Sequence, residues 1–294
     1  MSVDARATDD LEVRHAFLGA LVASVALTSS ARSFAGAPID TTAKPEEKLS
    51  PWDHGSARVF VAGRIDAGIV FARPAFMLGY GRPHWEWFGV EAYALTTNSF
   101  GAVYAGTRAS LPFLDFTIGV RDTLSYRRSF LPQRASYVAD DVDAAHGPRA
   151  RYLSLDVELT GVVPLLGGYV LWGFVSTTIL DAPKDVLVFD ESLRVVMRQP
   201  AAIDFRFGYI HAIGREGPLK LGVLSETIAL PHRDGPVERI GPLGTLSLTD
   251  HTEVVAVFTV AVWSPDALGI LHSPYGFLGL RYRWATGDQQ PSFP

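Results

Sequence analysis

The 294-residue chain contains no cysteine, which excludes a disulfide framework, a thiol nucleophile, a zinc-thiolate site and a lipidated N-terminal cysteine. Lysine and asparagine are scarce as well: four lysines stand against 22 arginines, and Asn98 is the sole asparagine. No basic excess exists, since 31 acidic residues outnumber 26 basic ones for a net charge of −5; a nucleic-acid partner is therefore not expected. Beyond residue 35 no run of eighteen apolar residues occurs, nor any stretch with sustained apolar spacing of three and four, so helical membrane spans are excluded. Also missing are a G-x-S-x-G elbow, an H-E-x-x-H pair, a phosphate-binding Walker loop and a dinucleotide glycine fingerprint. On that basis no catalysis, no cofactor and no metal site is expected. What the chain does have is 48% hydrophobic residues, too many for a disordered protein, and its length suits one large all-β domain.

The first apolar stretch, Ala16 to Thr28, follows Arg14 and His15 and leads into small residues ending at Ala35. This pattern reads as a signal peptide over 1–35. Its apolar core of thirteen residues falls short of the roughly 20 that span a bilayer as a helix. The acidic residues Asp4, Asp9, Asp10 and Glu12 upstream depart from the positive start such a peptide has. Residues 36–55, with Pro38, Pro45 and Pro51, show no periodicity and read as a flexible periplasmic linker. The barrel domain is then assigned to 56–284 and a tail to 285–294.

From Ser56 onward the repeating signal is alternation. Leu114, Phe116, Ile118 and Val120 oppose Asp115, Thr117, Gly119 and Arg121, and Leu153, Leu155, Val157 and Leu159 oppose Ser154, Asp156, Glu158 and Thr160. The same period of two recurs around Phe205, around Leu221 and from Leu278 to Trp284. Short turn signals between runs imply an antiparallel meander. The fold class is accordingly all-β, an antiparallel meander closed into a transmembrane β-barrel. Taking 58–80 as one strand and 185–197 as another gives about twelve strands, with ten to fourteen open. That count puts the long polar loop 127–149 on the periplasmic side, where short turns are usual. Splitting the first run at Arg73-Pro74 moves the loop outside but requires a later strand to be dropped, and 237–249, interrupted by Gly241-Pro242, is the weakest.

Two observations favour a bilayer over a soluble calyx: runs of ten to fourteen residues, and aromatic residues near strand ends (Trp85, Trp87, Trp172, Trp263, Tyr275 and Trp284), where a headgroup girdle would place them. The last strand, Gly279-Leu280-Arg281-Tyr282-Arg283-Trp284, resembles the C-terminal assembly signal of bacterial outer-membrane β-barrel proteins. The resemblance implies an outer-membrane location, an apolar face toward the lipid bilayer, periplasmic termini, an even strand count and recognition by the outer-membrane assembly machinery. It transfers no functional residue.

The polar face supplies the candidate lumen lining: Arg58, Arg64, Asp66, Arg108, Arg121, Asp156, Glu158, Asp204, Arg206, Lys220, Arg281 and Arg283. Buried charges must pair, so these residues form either a plug of salt bridges or a charged wall passing small solutes. A structural or narrow-pore role is the leading expectation. One alternative is a soluble periplasmic barrel holding an apolar ligand. A second is an outer-membrane hydrolase using Asp140-Asp141, Asp250-His251 or His272-Ser273. His211, beside Tyr209 and Ile213, reads as an interfacial residue rather than a metal ligand.

Overall fold

The computed structural model describes residues 52, 56–126, 129–142, 150–214, 218–269 and 275–287. The signal peptide, nearly all of the linker, His272-Ser273 and most of the C-terminal tail lie outside them. Twelve antiparallel strands close into a barrel: β1 (Arg58–Gly68), β2 (Phe71–Arg82), β3 (Glu86–Thr97), β4 (Phe100–Leu111), β5 (Leu114–Ser125), β7 (Arg151–Leu165), β8 (Gly168–Asp181), β11 (Ala201–Ile213), β12 (Leu219–Ala229), β13 (Val237–Ser247), β14 (Thr252–Trp263) and β15 (Tyr275–Ala285). Each pairs with its neighbour, and β1 pairs with β15 from Ala62↔Ala285 to Gly68↔Gly279 to close the sheet. Three short strands, β6 (Phe130–Pro132), β9 (Val186–Asp190) and β10 (Val195–Met197), form a separate sheet. The one helix among the described residues, α1 (Ala139–Val142), is a single turn.

The barrel strands follow the period of two apart from irregularities on β7 and at the start of β13; most large apolar side chains point outward, while Phe60, Met77, Tyr152 and Ile228 are among those packed inside. Leu278, Leu280, Tyr282 and Trp284 are 57, 52, 39 and 38% exposed, while Arg281 and Arg283 between them bond to acidic partners on the inner face. Two outward tryptophans lie flat across glycines of the neighbouring strand. Gly63 pairs with Trp284 and Gly161 with Trp172, and a Cβ on either glycine would meet the indole at 2.3 or 2.2 Å. The absent side chain is what lets the ring lie against the sheet.

The count of twelve agrees with expectation, but its composition does not. The run 58–80 is two strands that turn at Ile69-Val70, and 185–197 is not a barrel strand but the hairpin β9–β10. The two differences cancel in number and invert the sidedness. Turns 83–85, 112–113, 166–167, 214–218 and 248–251 fall at the end where β1 begins and β15 finishes, the proximal end. Segments 126–150, 182–200, 230–236 and 264–274 fall at the opposite, distal end. All the long connections thus lie at the distal end, together with the two-residue turns 69–70 and 98–99, while the proximal end carries only short turns, as outer-membrane barrels have them. Strand β13 is a genuine barrel strand: Pro242 pairs with Val223, and its ladder toward β14 shifts register only between Glu238 and Arg239.

Candidate functional site in the barrel interior

The distal loops do not stand away from the barrel; one of them folds into it. In the β9–β10 hairpin both faces are buried, and Leu187, Val188 and Phe189 are consecutive apolar residues. Val188, Leu193, Val195 and Met197 pack on the inner wall of Tyr152, Ile179, Ala202, Ile228 and Val237. Leu187, Phe189 and Val196 pack under Leu131, Tyr137, Val142 and Leu268 of the covering loops. The described part of the long loop, 129–142, is therefore a partly buried cover. Tyr137 holds it together, since burial raises its hydroxyl above the usual phenol range and keeps it a donor to the Pro132 carbonyl.

Polar groups fasten the hairpin tip. Arg121 reaches Asp156 at 3.0 Å and Asp190 at 3.4 Å, and the Tyr152 hydroxyl donates to Asp190 at 3.1 Å. Ser125 donates to Glu191 at 2.7 Å. The Asp190 carboxylate also accepts from the Ser192 and Leu193 amides, which closes the turn. Arg239, 1% exposed, donates to Glu226 at 2.7 Å and to the Leu193 and Arg194 carbonyls. Glu226 in turn accepts from Arg206, which also holds Asp204. Buried arginines are tolerated here because each meets at least one carboxylate, although the buried Arg239 Nε has no hydrogen-bond partner.

On the opposite wall the charges form a continuous chain over seven strands. Asp115 meets Arg108, Arg108 meets Glu91, Glu91 meets Arg64, and Arg64 meets Asp66. Asp66 also takes Arg73 and Arg281, and Glu253 joins Arg281 to Arg283. Above this belt Tyr93 and Tyr104 stack with centroids 4.7 Å apart, and Arg73 sits 5.7 Å from the Tyr93 ring.

Between the hairpin and the belt lies a cavity of about 850 Å³. At the distal end it is bounded by Val70, Phe71, Asn98, Ser99 and Phe277, and it descends along the belt to Asp115, Thr117, Glu158 and Thr160 on β5 and β7. The proximal mouth on the β1–β3 side is filled. Trp52 packs there with Phe60, Ala62, Met77, Trp87 and Ala285, and its indole meets the rings of His84 at 4.6 Å and His251 at 5.2 Å. Burial holds the His84 imidazole at a pKa of about 3, so it stays neutral, with Nε2 3.1 Å from the Trp284 carbonyl. The unfilled space therefore runs from the distal end down along β5 and β7, away from the Trp52 side.

Of the residues expected on the inner face, Arg64, Arg108, Arg121, Asp156, Glu158 and Arg206 line the cavity. Asp66, Arg281 and Arg283 belong to the belt, and Asp204 lies buried beneath Arg206. Arg58 sits at the proximal rim on the Thr286 carbonyl, and Lys220 lies over the Tyr169 ring at 5.4 Å. Sequence reasoning missed Arg73, Glu91, Arg239 and Glu226. In the sequence Arg73 stands beside Pro74 at a possible break, although its two-residue spacing from Ala75 and Met77 marks the inner face.

The girdle is only half as expected. Trp263 and Trp284 are exposed on the outer face, whereas Trp87 is 4% exposed inside the barrel and Tyr275 lines the cavity. The candidate hydrolytic groups do not converge: Asp141 bonds Arg134 at the distal end, while His251 bonds the Arg283 carbonyl at the proximal end. His211 bonds Tyr209 at 3.1 Å on the outer face.

No family model and no curated protein matches the sequence. Among solved structures the chain is similar to one from work on the in-meso crystallization of membrane proteins, with 9% identity, a TM-score of 0.40 and coverage of 80% of this chain and 86% of that one. It is similar to the outer membrane protein Omp33 of Acinetobacter baumannii, with 9% identity, a TM-score of 0.37 and coverage of 79% and 100%. It is also similar to OmpF of Salmonella typhi in complex with daunomycin, with 8% identity, a TM-score of 0.31 and coverage of 78% and 97%.

Proposed function

We propose that this closed twelve-stranded barrel sits in the bacterial outer membrane and passes small polar solutes through a narrow lumen. The observation that carries the reading is the inversion of its faces. Leucine, valine and aromatic side chains cover the outside, and arginine–carboxylate networks surround a cavity inside. A soluble calyx for an apolar ligand requires the reverse. Strand length agrees: eleven residues extend about 36 Å, or about 28 Å when tilted by roughly 40°, enough for an apolar band about 25 Å tall. Water in the lumen would solvate the exposed edges of the belt and stabilise charges that a dry core would not hold.

A second reading, a closed structural barrel, is favoured by the docking of the hairpin and of Trp52. Two measurements separate these readings from each other and from the calyx. Retention in the membrane pellet through carbonate washing supports the bilayer, and release without detergent would sink it. Discrete conductance steps of the purified full-length protein in a planar bilayer support passage, and silence supports the closed barrel.

A further inference from the structure

We infer that Glu158 sets the charge preference of the passage and makes it favour small cations, an inference that rests on the passage reading above. The argument is one of ionic pairing. The other carboxylates lining the cavity are engaged: Glu91 by Arg64 and Arg108, Asp115 by Arg108, Asp156 by Arg121, and Glu191 by the Ser125 hydroxyl. Glu158 makes no ion pair and no hydrogen bond among the described residues.

The cavity's wall arginines offer no matching excess. Arg64, Arg73, Arg108, Arg121 and Arg206 each lie within ion-pair distance of at least one carboxylate, and the sixth lining arginine, Arg194, is not without a partner either. Register keeps Glu158 out of any ion pair, although its charge still acts on Arg206, which is already shared by Asp204 and Glu226. Glu158 pairs with Thr117 on β5 and Val175 on β8, neither of which carries charge. Its same-face neighbour Asp156 is held by Arg121, and Thr160 follows on the other side. Lys220, a cation without a carboxylate in its described contacts, lies outside the cavity lining, over Tyr169.

A carboxylate without an ion pair on the wall of a narrow aqueous lumen concentrates cations and repels anions. The cavity volume corresponds to a radius of about 6 Å. That is inside the Debye length of about 10 Å at 0.1 M salt and outside the ~3 Å of 1 M salt. The preference is therefore strong in dilute salt and fades in concentrated salt.

The test is the reversal potential of the full-length protein in a planar bilayer under a potassium chloride gradient. The wild type is expected to favour potassium at 0.1 M and to lose most of that preference at 1 M. Glu158→Gln should lower the potassium-to-chloride permeability ratio about thirtyfold, since one unit charge acting through about 4 Å of water favours the cation about fivefold and disfavours the anion by about the same factor. Glu158→Asp should retain the preference, and Lys220→Gln should raise it slightly. An anion-preferring wild type, or a conducting Glu158→Gln protein with an unchanged ratio, would overturn the inference while leaving passage intact. If Glu158→Gln does not insert, the wild type's salt dependence decides, and a ratio equal at both salt concentrations counts against Glu158. Silence from both the wild type and Trp52→Ala would overturn the passage reading and the inference together.

Discussion

The two sides of the barrel interior use the same residue types to opposite ends. Where the hairpin docks, Arg121 on β5 and Arg239 on β13 meet it and are nearly excluded from solvent, with side chains 5 and 0% exposed. Toward β1–β5 and β14–β15, Arg64, Arg73, Arg108 and Arg281 meet carboxylates around an unfilled space and are 14 to 30% exposed. On one side arginine acts as a fastener for a lid; on the other it forms the wall of a void. The teaching is that an arginine–carboxylate pattern on an inner face specifies pairing but not filling. Filling is decided by whether an apolar loop is available to cover the charges.

The largest effect is expected where a fastener is removed. Arg239→Ala leaves Glu226 short of one partner and two hairpin carbonyls without a donor, which should cost about 3–5 kcal/mol in denaturant unfolding from detergent. The freed hairpin should also raise the conductance and its noise. A variant as stable as wild type would erase the distinction between the two sides. Trp52→Ala should cost about 3 kcal/mol, the low end for a buried aromatic, and widen the proximal mouth, read as a higher unitary current; an unchanged current would show that Trp52 does not obstruct it.

A smaller, pH-dependent effect follows from His84. Its folded pKa of about 3 lies below the ordinary 6.5, so between these values the unfolded chain binds more protons. The stability linked to the neutral ring is complete above about pH 6.5 and is lost as pH falls toward 3, with a slope approaching ~1.4 kcal/mol per pH unit. Unfolding curves of wild type and His84→Asn should therefore converge as pH is lowered through that window, and parallel curves would contradict the burial of the ring. The smallest effect belongs to Arg134, whose pair with Asp141 is largely exposed. Arg134→Ala should change stability by only ~0–1 kcal/mol.

Much of the barrel wall was legible because alternation is dictated locally: one face of each strand meets an apolar environment and the other a polar one. That Leu114, Leu155, Phe205 and Leu280 occupy one face follows from alternation; that this face points outward does not, and rests on the length of the runs and the last strand's resemblance. The first turn was hidden because Ile69 and Val70 carry no turn chemistry, although they are 91 and 57% exposed. The hairpin was misassigned because Asp185 to Met197 is strand-like in composition. Its distinguishing mark is the unbroken Leu187-Val188-Phe189 run, which signals cover on both faces rather than one. The belt could be anticipated as charged residues on one face, but its continuity across strands depends on register, which single-strand patterns do not contain. Trp52 lay in a stretch without periodicity, and nothing in that stretch announces a packed indole.

The pairing of β1 with β15 joins residues more than two hundred positions apart, with Asp66 and Arg281 clasped across it at 2.6 Å. Until that seam zips, both strands present open edges ready to add to any neighbouring chain, and the loop that must be drawn together is nearly the whole barrel. Sheet closure is thus a late and entropically demanding event. A chaperone that sheltered these two edges would protect the molecule at the stage when it is most prone to aggregate.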